Sequence, residues 1–147
     1  MKKYKIIILT NVLIVFTAFT GIAQNNDSTL DQLQASEWEM EGSTRPAHSI
    51  KYDDGHATHY RDGIKIGTDQ YYLSDAIHEE FDSRKLGQVK EGKYIISRGI
   101  TGFKDGVEKE VNPSGNFSVY EIKQVNKNWL MIRPSKRERI LKFQAKS

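Results

Sequence analysis

The sequence predicts an all-β fold, an antiparallel barrel of about eight strands with a short N-terminal helical turn. Three observations support this prediction. Turn signals recur along residues 36–147 and separate apolar segments of strand length. Residues 48–67 contain two consecutive hairpin sequences that build one sheet. The first and last apolar segments of the domain carry complementary charges, so their pairing would close the sheet.

The first 23 residues have the pattern of an export signal. Three lysines among the first five residues precede an apolar run over residues 6–19, and Gly21 and Ala23 fit a cleavage site before Gln24. We expect cleavage there, no membrane anchor afterwards, and a location in the periplasm or outside the cell. A retained anchor is the alternative, because the run is nearly long enough to cross a bilayer.

Charge and cysteine content exclude several classes of protein. The chain has 22 basic and 19 acidic residues, and three of the basic residues lie in the signal segment. From Gln24 onward the charges balance, whereas nucleic-acid-binding domains usually carry net positive charge, so we expect no nucleic-acid partner. The absence of cysteine excludes disulfides, thiolate metal ligands, cysteine nucleophiles and attachment of a lipid to cysteine.

Residues 24–35 are predicted to form a polar linker with one helical turn. Ser28 can cap this turn, and the segment is polar apart from Leu30, Leu33 and Ala35. We expect the turn to plug one end of the domain.

Residues 48–67 predict two β-hairpins. A three-residue loop ending in a left-handed glycine fits both Asp53-Asp54-Gly55 and Arg61-Asp62-Gly63. This register pairs Tyr52 with His56 and gives the sheet a polar and an apolar face. The polar face carries Lys51, Ala57, His59 and Lys65. The apolar face, predicted to point into the barrel, carries His48, Ile50, Tyr52, His56, Thr58, Tyr60, Ile64 and Ile66.

A two-residue loop at Asp54-Gly55 is the alternative for the first hairpin. It would place His59 beside Ile50 and turn Tyr60 outward. Because this arrangement buries less apolar surface, the three-residue loop is the prediction.

The rest of the chain predicts further strands. Five segments are rich in β-forming residues: 70–75, 92–97, 117–122, 128–134 and 139–145. Residues 74–81 have a serine start and early acidic residues, but a helix of this length is not stable without packing. We expect a single turn or an irregular crossover there.

The two ends of the domain are predicted to pair. Glutamates alternate with Trp38 and Met40 in residues 37–41, and lysines alternate with Leu141 and Phe143 in residues 141–146. An antiparallel pair would align the apolar faces inside and place glutamates opposite lysines outside. The alternative is that these charges only solvate an outer face.

No catalytic or metal motif is complete. His56 and His59 lie three residues apart, so on a strand they point to opposite faces and cannot chelate one ion. His78-Glu79 begins a zinc-protease motif, but Asp82 occupies the position of the second histidine. Neither a nucleophile elbow nor a glycine-rich phosphate loop occurs. We expect no cofactor, no metal and no enzymatic activity.

Both ends of the domain resemble lipocalin-like proteins. Residues 33–42, LQASEWEMEG, resemble their first strand, in which a helical turn leads into Gly-x-Trp, with Ser36 here in place of the glycine. Residues 128–146 resemble their last hairpin. The resemblance implies a small exported bacterial barrel that binds apolar or amphipathic molecules. It also implies that Arg139 covers Trp38 in a cation–π contact.

We therefore expect a non-catalytic binder of a small hydrophobic or amphipathic molecule inside the barrel. The predicted ligand-binding residues are Ile50, Tyr52, Tyr60 and Ile66, with His48 and His56 as polar handles. A filled interior is the alternative, since eight strands can enclose a solid core. Such a barrel would act as a scaffold that engages a protein or glycan through residues 100–115, where Phe103 is predicted to be exposed.

Overall fold

The computed structural model describes residues 27–42, 47–112 and 114–146. These ranges contain one α-helix and nine β-strands. They are α1 (Thr29–Gln34), β1 (Glu37–Met40), β2 (His48–Asp53), β3 (His56–Arg61), β4 (Ile64–Ser74), β5 (Tyr94–Lys104), β6 (Val107–Glu110), β7 (Ser118–Val125), β8 (Trp129–Pro134) and β9 (Leu141–Ala145). The predicted export signal, residues 1–23, lies outside the described residues.

Eight strands form a closed antiparallel barrel. Each strand is hydrogen-bonded to the next in the ring β1-β2-β3-β4-β5-β7-β8-β9, and β9 returns to β1. The remaining strand, β6, pairs with the last residues of β5 and extends this hairpin beyond the ring. The predicted all-β barrel of about eight strands is confirmed.

Pairing of β1 with β9 closes the ring. Trp38 lies opposite Ala145, and Met40 lies opposite Phe143. On the outside, Lys146 Nζ lies 3.0 Å from Glu37, and Lys142 Nζ lies 3.0 Å from Glu41. The predicted glutamate and lysine pairs are therefore present.

Helix α1 covers one end of the barrel, which we call the helix end. The Ser28 hydroxyl accepts a hydrogen bond from the Asp31 amide, and the Asp31 carboxylate accepts one from the Ser28 amide, which completes a capping box. Leu30 and Leu33 are buried in the core. The predicted helical plug is confirmed. We call the opposite end, where β1 connects to β2 and β8 to β9, the loop end.

The first hairpin has a two-residue turn, so its predicted register is wrong. Asp54 and Gly55 both have positive φ angles, 28° and 76°, and the turn pairs Asp53 with His56. Two left-handed residues match the natural twist of a hairpin, and Asp-Gly is well suited to them. A Cβ atom on Gly55 would lie 3.0 Å from the Cβ atom of Leu86, so packing against the crossover also requires glycine here.

This register exchanges the two faces of β3. Ala57 lies opposite Tyr52 and His59 opposite Ile50, so Ala57 and His59 face the interior. Tyr60 lies outside and His56 is exposed beside the turn.

The predicted three-residue loop of the second hairpin is wrong as well. Arg61 pairs with Ile64 across a two-residue turn, in which Asp62 and Gly63 have positive φ angles of 48° and 76°. Ile64, beside this turn at the loop end, is 71% exposed and does not contribute to the interior.

A β-bulge follows the turn. Tyr60 pairs with Lys65, but His59 pairs with Gly67, so Ile66 is the extra residue between the two pairs. Beyond the bulge, the odd-numbered residues of β4 face the interior.

Residues 75–93 form an irregular crossover with one 3-10 turn at Ser83–Lys85, so the crossover predicted over residues 74–81 is present and is longer than predicted. The crossover places Phe81 and Leu86 against the outer face of β4, β5 and β7, where they pack on Tyr72, Ile96 and Val119. This second core lies outside the barrel.

The barrel core is solid near the helix end. Leu33 and Trp38 are fully buried, and the Trp38 indole N–H donates to the Leu33 carbonyl at 2.8 Å. Tyr52 and Tyr71 meet edge to face, with ring centroids 4.9 Å apart. The other fully buried members of this layer are Leu73, Ile95, Leu130 and Phe143.

The predicted contact of Arg139 with Trp38 is wrong. Trp38 pairs with Ala145 at the last position of β9, whereas Arg139 is exposed and precedes β9. The strand between Leu141 and Ala145 alone spans roughly 13 Å, which separates the two side chains. The Trp38 indole is covered by α1 instead.

Candidate functional site

A cavity of about 90 Å³ lies inside the barrel, toward the loop end. Most of its wall is apolar or aromatic, contributed by Met40, Ile50, Tyr52, Ala57, Ile95, Tyr120, Ile132, Leu141 and Phe143. The solid layer around Trp38 forms its floor. The interior is therefore packed at one end and hollow at the other.

Four polar side chains line one side of the cavity; we call them the polar cluster. They are His48, His59, Asp69 and Ser97, and they come from the neighbouring strands β2, β3, β4 and β5. His48 Nε2 lies 3.2 Å from His59 Nδ1, and the two rings stack with centroids 5.5 Å apart. The Ser97 hydroxyl donates to Asp69 Oδ2 at 2.8 Å.

His59 lies between His48 and Asp69, but its Nε2 atom forms no hydrogen bond with the Asp69 carboxylate. Its Nε2 atom lies 3.1 Å from Asp69 Oδ2, which is within ion-pair distance. The atom is buried, yet its orientation gives no hydrogen bond to any described residue. Buried polar atoms without a hydrogen bond are uncommon, and His59 Nε2 has the Asp69 carboxylate beside it.

The cluster also touches solvent. The side chains of His59 and Asp69 are 22% and 25% exposed. A small molecule can therefore reach these groups from the loop end, while the apolar wall lies deeper in the barrel.

Burial keeps two side chains of the site neutral. Burial lowers the pKa of His48, and the neighbouring His59 and Arg61 lower it further. Burial likewise raises the pKa of Tyr52, and the nearby Tyr120, Tyr71 and Asp69 add to this effect. Both groups can take part in hydrogen bonds without carrying charge at neutral pH.

A β-bulge determines where Asp69 points. The extra residue Ile66 shifts the pairing of β4 with β3, which brings Asp69 onto the inward face beside His59. In the pairing of β4 with β5, Thr68 lies opposite Thr101 and Asp69 opposite Gly99, so a second bulge lies at Ile100 of β5. Bulges often re-aim a side chain beside a functional site.

The structure places some predicted ligand residues at the cavity and excludes others. His48, Ile50 and Tyr52 line it. Tyr60, Ile66 and His56 are not among the lining residues, because of the hairpin register and the bulge.

Sequence reasoning missed His59, Asp69 and Ser97. The Asp-Gly turn was the available signal, since a two-residue loop turns His59 inward. No comparable local signal marks Asp69.

A wider cleft of about 890 Å³ lies on the outer surface, between the crossover and the turn from β8 to β9. Its floor is the outer core, where the Arg98 guanidinium lies 4.2 Å from the centre of the Phe81 ring and donates to Gln70 at 2.6 Å. Glu79, Glu80 and Lys136, on its rim, are exposed. The inner cavity is the better candidate because it combines enclosure with convergent polar groups.

Within the described ranges, no three His, Asp or Glu side chains are placed to hold a metal ion. No helix in the same ranges is long and apolar enough to span a bilayer.

Comparison with protein-family models, with curated proteins and with solved structures gives no significant match. The fold assignment therefore rests on the barrel itself, which is consistent with a lipocalin-like architecture.

Proposed function

We propose that this chain is an exported, non-catalytic, lipocalin-like protein that binds a small amphipathic molecule in the cavity near the loop end. The supporting observation is the cavity wall, which is apolar on most sides and carries the polar cluster on one side. Such a wall holds the hydrocarbon part of a ligand and fixes the position of its polar group.

The size of the cavity limits the ligand. An engineered protein cavity of about 150 Å³ holds benzene, so about 90 Å³ encloses only part of a ligand of that size. A longer molecule would have to extend out through the loop end. The most suitable ligand is a short aliphatic chain with one polar end.

The arrangement of the polar cluster supports binding over catalysis. A serine nucleophile needs a base that accepts its proton, usually an imidazole. The Ser97 hydroxyl instead donates to Asp69 Oδ2, and among the described residues it forms no hydrogen bond with His48 or His59.

Filling the cavity tests this function. Ala57 is 2% exposed and lies on the cavity wall, so Ala57→Ile adds three carbons in the empty space. We expect 1-pentanol to shift the methyl NMR signals of Ile50 and Ile132 in the wild-type protein. In Ala57→Ile the affinity should fall by at least about tenfold, because the chain loses its apolar contacts.

Two matched variants serve as controls. Ala76→Ile makes the same change at an exposed position of the crossover, and Phe103→Ser removes an exposed aromatic ring; both should bind 1-pentanol as the wild type does. Equal affinity of Ala57→Ile and Ala76→Ile would contradict binding in the cavity. Absence of saturable binding to the wild type would contradict it as well.

The scaffold function remains a second hypothesis. Phe103 is 38% exposed, but it lies in the β5–β6 hairpin and not in a loop. Lys65 Nζ lies 5.8 Å from the centre of its ring, so part of the ring is already covered. We favour the cavity because several strands converge on it with complementary side chains.

A further inference from the structure

Among the described residues, the wall of the cavity contains one carboxylate, Asp69, and neither lysine nor arginine. Arg61 pairs with His48 in the strand register, but it is exposed and does not line the cavity. An anionic ligand would therefore meet a carboxylate without a cation in the wall to compensate it.

The Asp69 carboxylate has one crowded oxygen and one with space beside it. Both Ser97 Oγ and His59 Nε2 lie near Oδ2, at 2.8 and 3.1 Å. Gly99 occupies the next inward position of β5 after Ser97, and a Cβ atom there would lie 3.5 Å from Oδ1 and 3.6 Å from Val111 Cγ2. Because Gly99 has no side chain, a small donor can lie beside Oδ1, next to Val111.

We propose that the cavity selects a small primary amine, bound as its ammonium ion, with the nitrogen against Asp69 and the alkyl chain on the apolar wall. This inference rests on the proposed function and specifies the chemical class of the ligand.

The surroundings of Asp69 can satisfy a buried ammonium group. Burial of a cation is unfavourable unless the cation is paired and hydrogen-bonded. Asp69 supplies the opposite charge, and the Ser97 hydroxyl keeps acceptor lone pairs after donating to Asp69. A carboxylate ligand would lose all of these interactions.

Three probes of equal chain length test the selection on the full protein: pentylamine, 1-pentanol and pentanoate. At about pH 8 the amine is cationic and the acid is anionic. Calorimetric titration at one ionic strength should rank the amine above the alcohol by about tenfold or more, because a hydrogen bond to a charged group is stronger than a neutral one. The acid should bind more weakly than the alcohol.

Asp69→Asn removes the charge and nearly preserves the shape of the side chain. We expect the affinity for pentylamine to fall to that for 1-pentanol, while the affinity for 1-pentanol changes less than threefold, which also shows that the cavity is folded. Asp75→Asn, at an exposed position of the crossover, should keep the preference for the amine.

The outcomes separate this inference from the function on which it rests. If 1-pentanol binds but pentylamine is not preferred, or if Asp69→Asn keeps the preference, the selection of an amine is wrong and the cavity function stands. If none of the three probes binds, both are wrong. Should Asp69→Asn fail to fold, the ranking on the wild-type protein decides.

Discussion

His48 shows how the barrel changes the chemistry of a single residue. Burial lowers its pKa, and the neighbouring His59 and Arg61 lower it further. In the unfolded chain a histidine titrates at about pH 6.5, so His48 takes up its proton at a higher pH in the unfolded chain than in the folded protein. As the pH falls below that value, the unfolded state is favoured and the free energy of unfolding decreases until His48 is itself protonated.

We expect urea denaturation to show this loss of stability between about pH 7.5 and pH 5.5. Replacement His48→Gln should flatten the pH dependence in that interval. Glu37 acts in a different range, because its hydrogen bond with Ser49 and its pairing with Lys146 lower its pKa, so its contribution is lost only at more acidic pH. Parallel pH curves for the wild type and His48→Gln would refute the role of His48.

The inward positions of His48, Ile50 and Tyr52 were predictable, because strand alternation alone fixes them. His59 and Tyr60 were exchanged, since a loop that differs by one residue inverts a strand. Buried apolar area favoured Tyr60, but the left-handed conformations of Asp54 and Gly55 outweighed it. Turn chemistry was thus a better guide to these side chains than hydrophobicity.

Helix α1 depends on the barrel for its stability. Six residues are too few for a stable isolated helix, so docking of Leu33 beside Trp38 holds it in place. We expect Leu33→Ala to lower the free energy of unfolding by about 2–5 kcal/mol, as for other fully buried leucines. Chemical denaturation measures this change.

Ile77 provides the comparison for Leu33, because it is 57% exposed in the crossover. Ile77→Ala should change stability by no more than about 0.5 kcal/mol. A loss in Leu33→Ala as small as that in Ile77→Ala would show that α1 is not part of the core.

Elements that a short sequence pattern marks were predicted, whereas elements that depend on packing between distant segments were not. Ser28 and Asp31 form the cap that defines α1, and alternating charges identify the β1–β9 pair. The bulge at Ile66 has no such signal, because it results from the fit of β4 between two neighbours. The short strand β6 falls within residues that were predicted as a loop.

At the scale of the whole molecule, the barrel has unlike halves. Large side chains such as Trp38 and Tyr71 fill the helix end, whereas Ala57 and the polar cluster leave space toward the loop end. The sequence left the choice between a solid and a hollow interior open. This choice depends on how eight inner faces pack together, which no single segment determines.

Intermolecular NOEs between pentylamine and the isotope-labelled protein show directly where the ligand binds. We expect contacts from the alkyl protons to the methyl groups of Ile50, Ile95 and Ile132, which line the inner cavity. Contacts to Ile77 and Phe117 in the outer cleft instead, or no contacts with the interior, would contradict this expectation.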